Sequence, residues 1–190
     1  MTIIKNNVRT VLTTRLLLEC DKQFLFLEQT PLNGGGLTLP GGKIEKEEFA
    51  KEALIREVSE EIGVLIAKKT LKLVHVTHRR TEATSEIILF FHCVCESLIE
   101  PNMKEPQKFQ KAVLLPTDDV PKELTNVLKH ALLSINKGKF FSQFPKAKKK
   151  ADNGVLSPIV DFSSLQLQHN KIKEGMDKLQ RKTREKMIFI

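Results

Sequence analysis

The amino-acid sequence predicts an α/β (α+β) domain over residues 1–142, with two helices around a mixed β-sheet, followed by a basic extension at residues 143–190. Strand-like segments are interrupted by two segments of helical character, which is the order expected for such a sandwich. Hydrophobic residues make up 41% of the 190 residues, which is enough for a core. After about residue 142 the composition becomes basic and turn-like, which indicates a change of organisation.

The predicted strands are short apolar segments bounded by turn residues. Residues 9–19 begin with β-branched residues and precede a turn at residues 20–22, so that they pair with residues 23–29 as a hairpin. Three consecutive glycines mark residues 30–36 as a loop. Further strands are predicted at residues 37–39, 70–78, 86–95 and 111–115.

Two helices are predicted within the domain and a third beyond it. Residues 48–62 consist mainly of strong helix formers, and Gly63 is suited to end that helix. Residues 123–136 have apolar side chains near helical spacing. In the extension, residues 165–187 could form a basic helix that packs on the domain, mediates a homodimer or stays mobile. Its apolar side would consist of Leu165, Ile172, Met176 and Leu179.

The net charge of +8 does not by itself indicate a nucleic-acid partner. Residues 146–190 hold 11 basic and 5 acidic residues, so the extension carries +6 of the total. Phosphate contacts are made by lysine and arginine, but base stacking needs aromatic rings, and the chain has 11 Phe with no Trp and no Tyr. A solvated basic extension is therefore favoured over a nucleic-acid-binding arm.

Composition also bears on the compartment. No apolar run approaches the ~20 residues that span a bilayer, and the N-terminus lacks the pattern of a secretory signal. Cys20, Cys93 and Cys95 lack the further Cys or His residues that a zinc site needs. We expect all three cysteines to be reduced and mostly buried, in a cytoplasmic protein.

A group of glutamates on the first helix is the strongest chemical signal. Glu57, Glu60 and Glu61 are three or four residues apart on a helix, so their side chains are neighbours and repel one another. Solvent, an arginine or a divalent cation could offset that repulsion, and Mg²⁺ prefers hard oxygen ligands. The alternative is a solvated acidic surface, which would be the better interpretation if the glutamates stood alone.

The spacing around those glutamates resembles the Nudix box. Gly42 is followed after five residues by Glu48, and after seven more by Arg56. All the other positions that the box specifies also match, with apolar residues where the box requires them. They are Glu57, Val58, Glu60, Glu61, Gly63 and Val64.

This resemblance implies an α/β/α sandwich that hydrolyses a nucleoside diphosphate linked to another group, with Mg²⁺ or Mn²⁺ as cofactor. By position, it implies that Glu57 and Glu61 are metal ligands and that Glu60 completes the site. A carbonyl ligand would come from Gly41, in the turn before the helix. Arg56 would orient Glu57, and Glu48 would support the loop or a second metal. Either Glu57 or a carboxylate outside the box would be the base.

The substrate is less strongly indicated. Residues 78–80 and 86–91 resemble a pattern of MutT-like members, so Arg79 or Arg80 is expected to contact phosphates, with solvated loop arginines as an equal alternative. Glu105 lies in a loop that resembles theirs, and is either a late carboxylate near the metal or a loop charge. Two tryptophans common in that group are absent from this sequence. Leu37 replaces the first, and the second is missing near Leu114.

The expected reaction is hydrolysis of a small-molecule nucleotide. A nucleoside triphosphate, including oxidised forms such as 8-oxo-dGTP, would be cut to the monophosphate and pyrophosphate. The alternatives are another nucleoside-diphosphate derivative, such as a nucleotide sugar, and a non-catalytic module that binds nucleotide or RNA.

Removal of the residues after about Lys150 is expected to leave hydrolysis intact, because every motif of the predicted site lies before that point. Turnover by the truncated and the full chain checks this. A truncated chain that is soluble but inactive would contradict it.

Overall fold

A computed structural model describes residues 9–95, 100–117 and 120–145 of the chain. Within them the helices and strands follow the predicted order, with one strand added at the end. The elements are β1 (Arg9–Cys20), β2 (Gln23–Gln29), β3 (Leu37–Thr38), α1 (Ala50–Ile62), β4 (Lys72–Arg80), β5 (Thr84–Val94), β6 (Phe109–Pro116), α2 (Asn126–Asn136) and β7 (Phe141–Phe144).

The strands form one mixed sheet. β1 and β5 are parallel neighbours along their length, from the pair Arg9 and Thr84 to the pair Glu19 and Val94. β4 continues the sheet antiparallel to β5, and β7 lies parallel to β4. On the other side β2 pairs antiparallel with β1, β3 and β6. The predicted mixed sheet is confirmed.

Side-chain alternation on β1 divides the core into two layers. Leu16 and Leu18 belong to the cluster that packs against α1, whereas Leu17, between them, belongs to the cluster against α2. This follows from strand geometry, in which successive side chains point to opposite faces. The predicted α/β/α sandwich is therefore confirmed.

The apolar spacing of α1 explains how this helix docks. Leu54, Val58 and Ile62 are four residues apart, share one side of the helix and are fully buried. Gly63 ends the helix with φ +68°, a conformation that glycine adopts without strain. The glutamates of the predicted box are consequently held at a fixed angle to the sheet.

The ends of several elements differ from the prediction, and one strand is added. α1 begins at Ala50 rather than at residue 48, because Phe49 is the N-cap and its N–H donates to the side chain of Glu52, at 3.1 Å. β4 extends through Arg80 and β5 begins at Thr84, so the segment between the predicted strands 70–78 and 86–95 shortens to residues 81–83. β7 was not predicted, since its four residues have no alternation long enough to signal a strand.

The prediction of three reduced cysteines is wrong for two of them. Cys20 and Cys95 form a disulfide, with their Cα atoms 5.3 Å apart, while Cys93 is free and buried. The parallel register pairs Glu19 with Val94, so the next residue of each chain segment comes to lie beside the other. The pairing thus depends on strand register across 75 residues, which the cysteine spacing does not reveal.

The division of the chain at residue 142 remains a prediction. β7 runs across that position, and residues 146–190 lie outside the described residues, together with the helix predicted at residues 165–187 and its apolar positions. No helix in the described part of the chain is long and apolar enough to cross a membrane.

Replacing Leu54 by alanine is expected to destabilise the protein by about 2–5 kcal/mol, because the side chain is fully buried between α1 and the sheet. Urea denaturation measures this loss. Leu65→Ala is the control, and should change the free energy of unfolding by about 0.5 kcal/mol or less, since Leu65 is 84% exposed. Equal effects of the two substitutions would contradict the described packing.

Candidate active site

The turn of residues 40–42 lies directly against β1. Leu16 N–H donates to the carbonyl of Pro40 at 2.9 Å, and Thr14 N–H donates to the carbonyl of Gly42 at 2.8 Å. β3 pairs with β2, and the turn that follows β3 pairs with β1. Gly41 has φ +123°, and a Cβ there would overlap the backbone of Thr14. Glycine is therefore required for the turn to approach the strand.

Glu61 binds this turn from the last part of α1. Its Oε2 accepts a hydrogen bond from the N–H of Gly41 at 2.9 Å, and the residue is only 4% exposed. Burial is the main cause that raises the pKa of Glu61 to about 8, and the hydrogen bond from Gly41 and the charge of Arg15 oppose it. The nearby charges of Glu57 and Glu105 raise the pKa further.

Glu57 lies one turn earlier on the same helix and contacts Gly42. A Cβ at Gly42 would overlap the Glu57 carboxylate, so the second glycine of the turn makes room for that group. Arg56 Nη1 lies 3.1 Å from Glu57 Oε1. The turn and the helix thus bring two carboxylates to consecutive glycines.

Arg56 joins the helix to the loop before it. Its Nε donates to Oε1 of Glu48 at 2.9 Å, and its Nη2 donates to Oε2 of the same carboxylate at 3.1 Å. Nη2 also reaches the carbonyl of Lys43 at 3.2 Å. This paired geometry raises the pKa of Arg56 and lowers the pKa of Glu48, chiefly through their shared hydrogen bonds. The ion pair holds the loop across eight residues of sequence.

Glu60 points to a more open side of the helix than the other box glutamates. Its carboxylate lies 3.3 Å from Arg56 Nη1, and its side chain is 54% exposed, against 16% for Glu57. The structure therefore brings Glu57, Glu61 and the turn together, and places Glu60 at the periphery of that group.

Glu105 approaches the same region from the loop between β5 and β6. Lys104 N–H donates to the carbonyl of Glu61 at 3.0 Å, which fixes the loop at the end of α1. Glu105 Oε1 pairs with Lys108 Nζ at 2.7 Å, while its Oε2 is buried without a hydrogen-bond partner. A buried carboxylate oxygen of this kind is costly unless a donor or a cation reaches it.

The two predicted phosphate-contacting arginines differ in their surroundings. Arg79 Nε lies 2.8 Å from Oε2 of Glu86, the residue opposite it on β5. Thr13 Oγ1 donates to the other oxygen of Glu86 at 3.1 Å. Arg80, at the end of β4, is exposed.

Arg15 is the residue of this region that the sequence did not reveal. It lies within β1, and its Nη1 donates to the carbonyls of Leu39, at 3.0 Å, and of Gly41. Burial lowers the pKa of Arg15, while the carboxylates of Glu61, Glu86 and Glu57 oppose that effect, the first of them most strongly. The available signal was a single arginine inside the apolar strand, next to the leucines of residues 16–18.

The candidate metal-ligand atoms near this turn suit a hard divalent cation. They are carboxylate and carbonyl oxygens, and one of them, Glu105 Oε2, is buried without a partner. In the described residues no three His, Cys, Asp or Glu side chains are already arranged to hold a metal ion. Glu57 and Glu61 are instead engaged by Arg56 and Gly41. Binding of a cation would require these carboxylates to exchange partners.

A mixed sheet thus lies between two helices, with Glu61 buried against a glycine turn. Comparison with known proteins identifies the family. The family model of the NUDIX domain matches residues 9–134, about two thirds of the chain. The chain belongs to the Nudix family.

Individual relatives are similar over different shares of the chain. An 8-oxo-dGTP diphosphatase of Proteus vulgaris is 45% identical over 56 residues, which is 27% of this chain and half the length of that protein. A MutT protein from Methanosarcina mazei Go1 has a TM-score of 0.60 at 17% identity, over 69% of this chain and 96% of its own. A MutT NUDIX hydrolase from Burkholderia pseudomallei has a TM-score of 0.57 at 24% identity, over 66% and 97%. These two structures show the same fold.

The raised pKa of Glu61 predicts that the metal-free protein loses stability as pH rises. Between an ordinary value near 4.5 and about 8, the folded state keeps a proton that the unfolded chain releases. The contribution of Glu61 to the free energy of unfolding is complete at pH values below its pKa in the unfolded chain. It is lost as the pH rises through its pKa in the folded protein, with a slope of at most about 1.4 kcal/mol per pH unit.

Urea denaturation with EDTA over this pH range measures the slope. Glu61→Gln, which keeps the shape of the protonated group and cannot titrate, should remove the contribution. Identical pH dependence of the wild type and Glu61→Gln would contradict the buried, protonated state.

Proposed function

We propose that this Nudix hydrolase uses Mg²⁺, with Mn²⁺ as a substitute, to cleave a nucleoside triphosphate to the monophosphate and pyrophosphate. The observation that carries the proposal is the position of two box glutamates at consecutive glycines: Glu61 on the N–H of Gly41 and Glu57 against Gly42. An acidic helix that was merely solvated would not bury Glu61 or need glycine beneath Glu57.

In this proposal Glu57 and Glu61 hold the cation, with the carbonyl of Gly41 and with Glu60 as outer ligands. When bound, the cation supplies charge neutralisation at the phosphate oxygens and lowers the pKa of a water molecule. Arg56 orients Glu57 through the 3.1 Å contact between them.

Two further carboxylates complete the proposed set of roles. Glu48 is a positioning residue, because its two hydrogen bonds fix the guanidinium of Arg56. Either Glu57 or Glu105 takes the proton of the attacking water. Glu105 has an unpaired, buried oxygen that is suited to accept a proton, but Glu57 is closer to the glycine turn.

Cations for the substrate phosphates come from outside the box. Arg79 is held by Glu86, so its remaining guanidinium nitrogens can bind a phosphate in a fixed orientation. Arg80 is exposed and could reach a more distant phosphate, and Lys108 beside Glu105 contributes positive charge near the carboxylates. Electrostatic stabilisation of this kind dominates phosphoryl-transfer catalysis.

An oxidised triphosphate such as 8-oxo-dGTP is the favoured substrate. The support is the 45% identity to an 8-oxo-dGTP diphosphatase over 56 residues, although the match spans only half of that relative. A nucleotide sugar or a related diphosphate derivative is the alternative within the same chemistry. The intact set of box glutamates disfavours a non-catalytic binding module.

We place the reaction in the cytoplasm, where free nucleotides are the substrate pool. Because Cys20 and Cys95 form a disulfide, the cysteines no longer support a reducing compartment. The placement in the cytoplasm therefore rests on the substrate class alone. A homodimer formed through the extension is proposed only from the apolar positions of residues 165–187.

A substrate panel with Mg²⁺ tests the proposal when pyrophosphate and phosphate are measured separately. The panel contains ordinary and oxidised nucleoside triphosphates, nucleotide sugars, ADP-ribose and dinucleotides. Pyrophosphate from one or a few triphosphates is the expected result. Paired monophosphates released from a conjugate would indicate a nucleoside-diphosphate derivative as the substrate instead of a triphosphate. Binding of nucleotide or RNA without any turnover would favour the non-catalytic binding module.

Glu57→Gln is expected to abolish turnover while the melting temperature stays near that of the wild type, because the substitution removes the charge and preserves the shape. Glu52→Gln on the same helix is the matched control, since Gln can still accept the hydrogen bond from the N–H of Phe49. Unchanged turnover by Glu57→Gln would contradict the assignment of the site.

A further inference from the structure

We infer that Arg15 is a positioning residue for the reaction: by binding the carbonyls of Leu39 and Gly41, it holds the glycine turn in the geometry that presents one backbone N–H to Glu61. This inference rests on the proposed function, and extends it to a residue outside the Nudix box.

The two carbonyls that Arg15 binds lie on either side of one peptide group. Leu39 precedes the peptide between Pro40 and Gly41, and the carbonyl of Gly41 follows it. That central peptide is itself engaged at both ends, because its carbonyl accepts from the N–H of Leu16 and its N–H donates to Glu61. A single guanidinium nitrogen thus restrains both neighbours of the peptide that contacts Glu61.

The surroundings of Arg15 favour this role over a solvated charge. Glu86 is held by Thr13 and Arg79, and its carboxylate stabilises the cationic form of Arg15. Glu61 and Glu57 do the same from the side of α1. A partly buried cation with carboxylates nearby has little freedom to leave the carbonyls it binds.

The expected consequence is a loss of turnover rather than a loss of substrate affinity. Gly41 bears the N–H that orients Glu61, a proposed metal ligand, and a carbonyl that Arg15 binds. Outer groups that orient metal ligands typically contribute about 10–100-fold in metal affinity or activity. Arg15 acts on the turn, so substrate contacts should be affected less.

Three full-length variants test this role. Arg15→Met removes the charge and the donors at similar length, and Arg15→Lys keeps the charge but places all its donors on one nitrogen. Arg9→Met is the control, because Arg9 is an exposed arginine of the same strand. For each we measure kcat and KM on the substrate found above, Mn²⁺ affinity by electron paramagnetic resonance, and amide hydrogen exchange of the metal-free protein by NMR.

The expected result for Arg15→Met is a kcat and an Mn²⁺ affinity lowered by about 10–100-fold, with KM changed by less than about threefold. The Gly41 amide should exchange at least about tenfold faster, while the Val76 amide keeps its protection because it donates to the carbonyl of Phe140, outside the turn. Arg15→Lys should be intermediate, and Arg9→Met should match the wild type in every readout.

Unchanged exchange of the Gly41 amide in Arg15→Met would overturn the inference, as would a lower melting temperature with normal kcat and Mn²⁺ affinity. A raised KM with unchanged kcat would overturn it in favour of direct substrate contact. If Arg15→Met does not fold, Arg15→Lys carries the same readouts. A wild type without turnover or Mn²⁺ binding would contradict the proposed function, whereas faster Gly41 exchange would still support the restraint by Arg15.

Discussion

The hydrogen bond from the N–H of Gly41 to the buried carboxylate of Glu61 is the contact on which the candidate site depends. It joins a turn that is paired with β1 to a helix that is packed against the same sheet. Either partner alone would leave a costly group, since a buried carboxylate without a donor and a buried N–H without an acceptor are both unfavourable. Sheet, turn and helix therefore hold one another in a single arrangement.

Charge balance follows from that arrangement. The approach of α1 to the turn concentrates carboxylates that repel one another, and two arginines offset them from different directions. Arg56 acts at the outer side, where it binds Glu48 and contacts Glu57, and Arg15 acts from within the sheet. Burial raises the pKa of Glu61, and one oxygen of Glu105 has no hydrogen-bond partner. Carboxylate oxygens are the ligands that a hard cation prefers.

The two faces of the sheet contribute different parts of the molecule. The face toward α1 carries the helix of the Nudix box, and its apolar contacts fix where the glutamates lie. On β1, β4 and β5, the opposite face supplies the polar group of Thr13, Arg15, Arg79 and Glu86. Because adjacent residues of a strand point to opposite faces, β1 contributes side chains to both layers.

The sequence by itself determined the family, the order of the predicted strands and helices and the glutamates of the candidate site, because the box spacing and the apolar periodicity are local properties of the chain. Spacing placed Glu57 and Glu61 on one side of a helix, and the structure adds that Glu61 is buried whereas Glu60 is exposed. Only the tertiary structure decided which distant residues meet those glutamates. The disulfide of Cys20 with Cys95 and the contact of Arg15 with Gly41 both depend on strand pairing, which joins residues far apart in the sequence and leaves no local pattern to read.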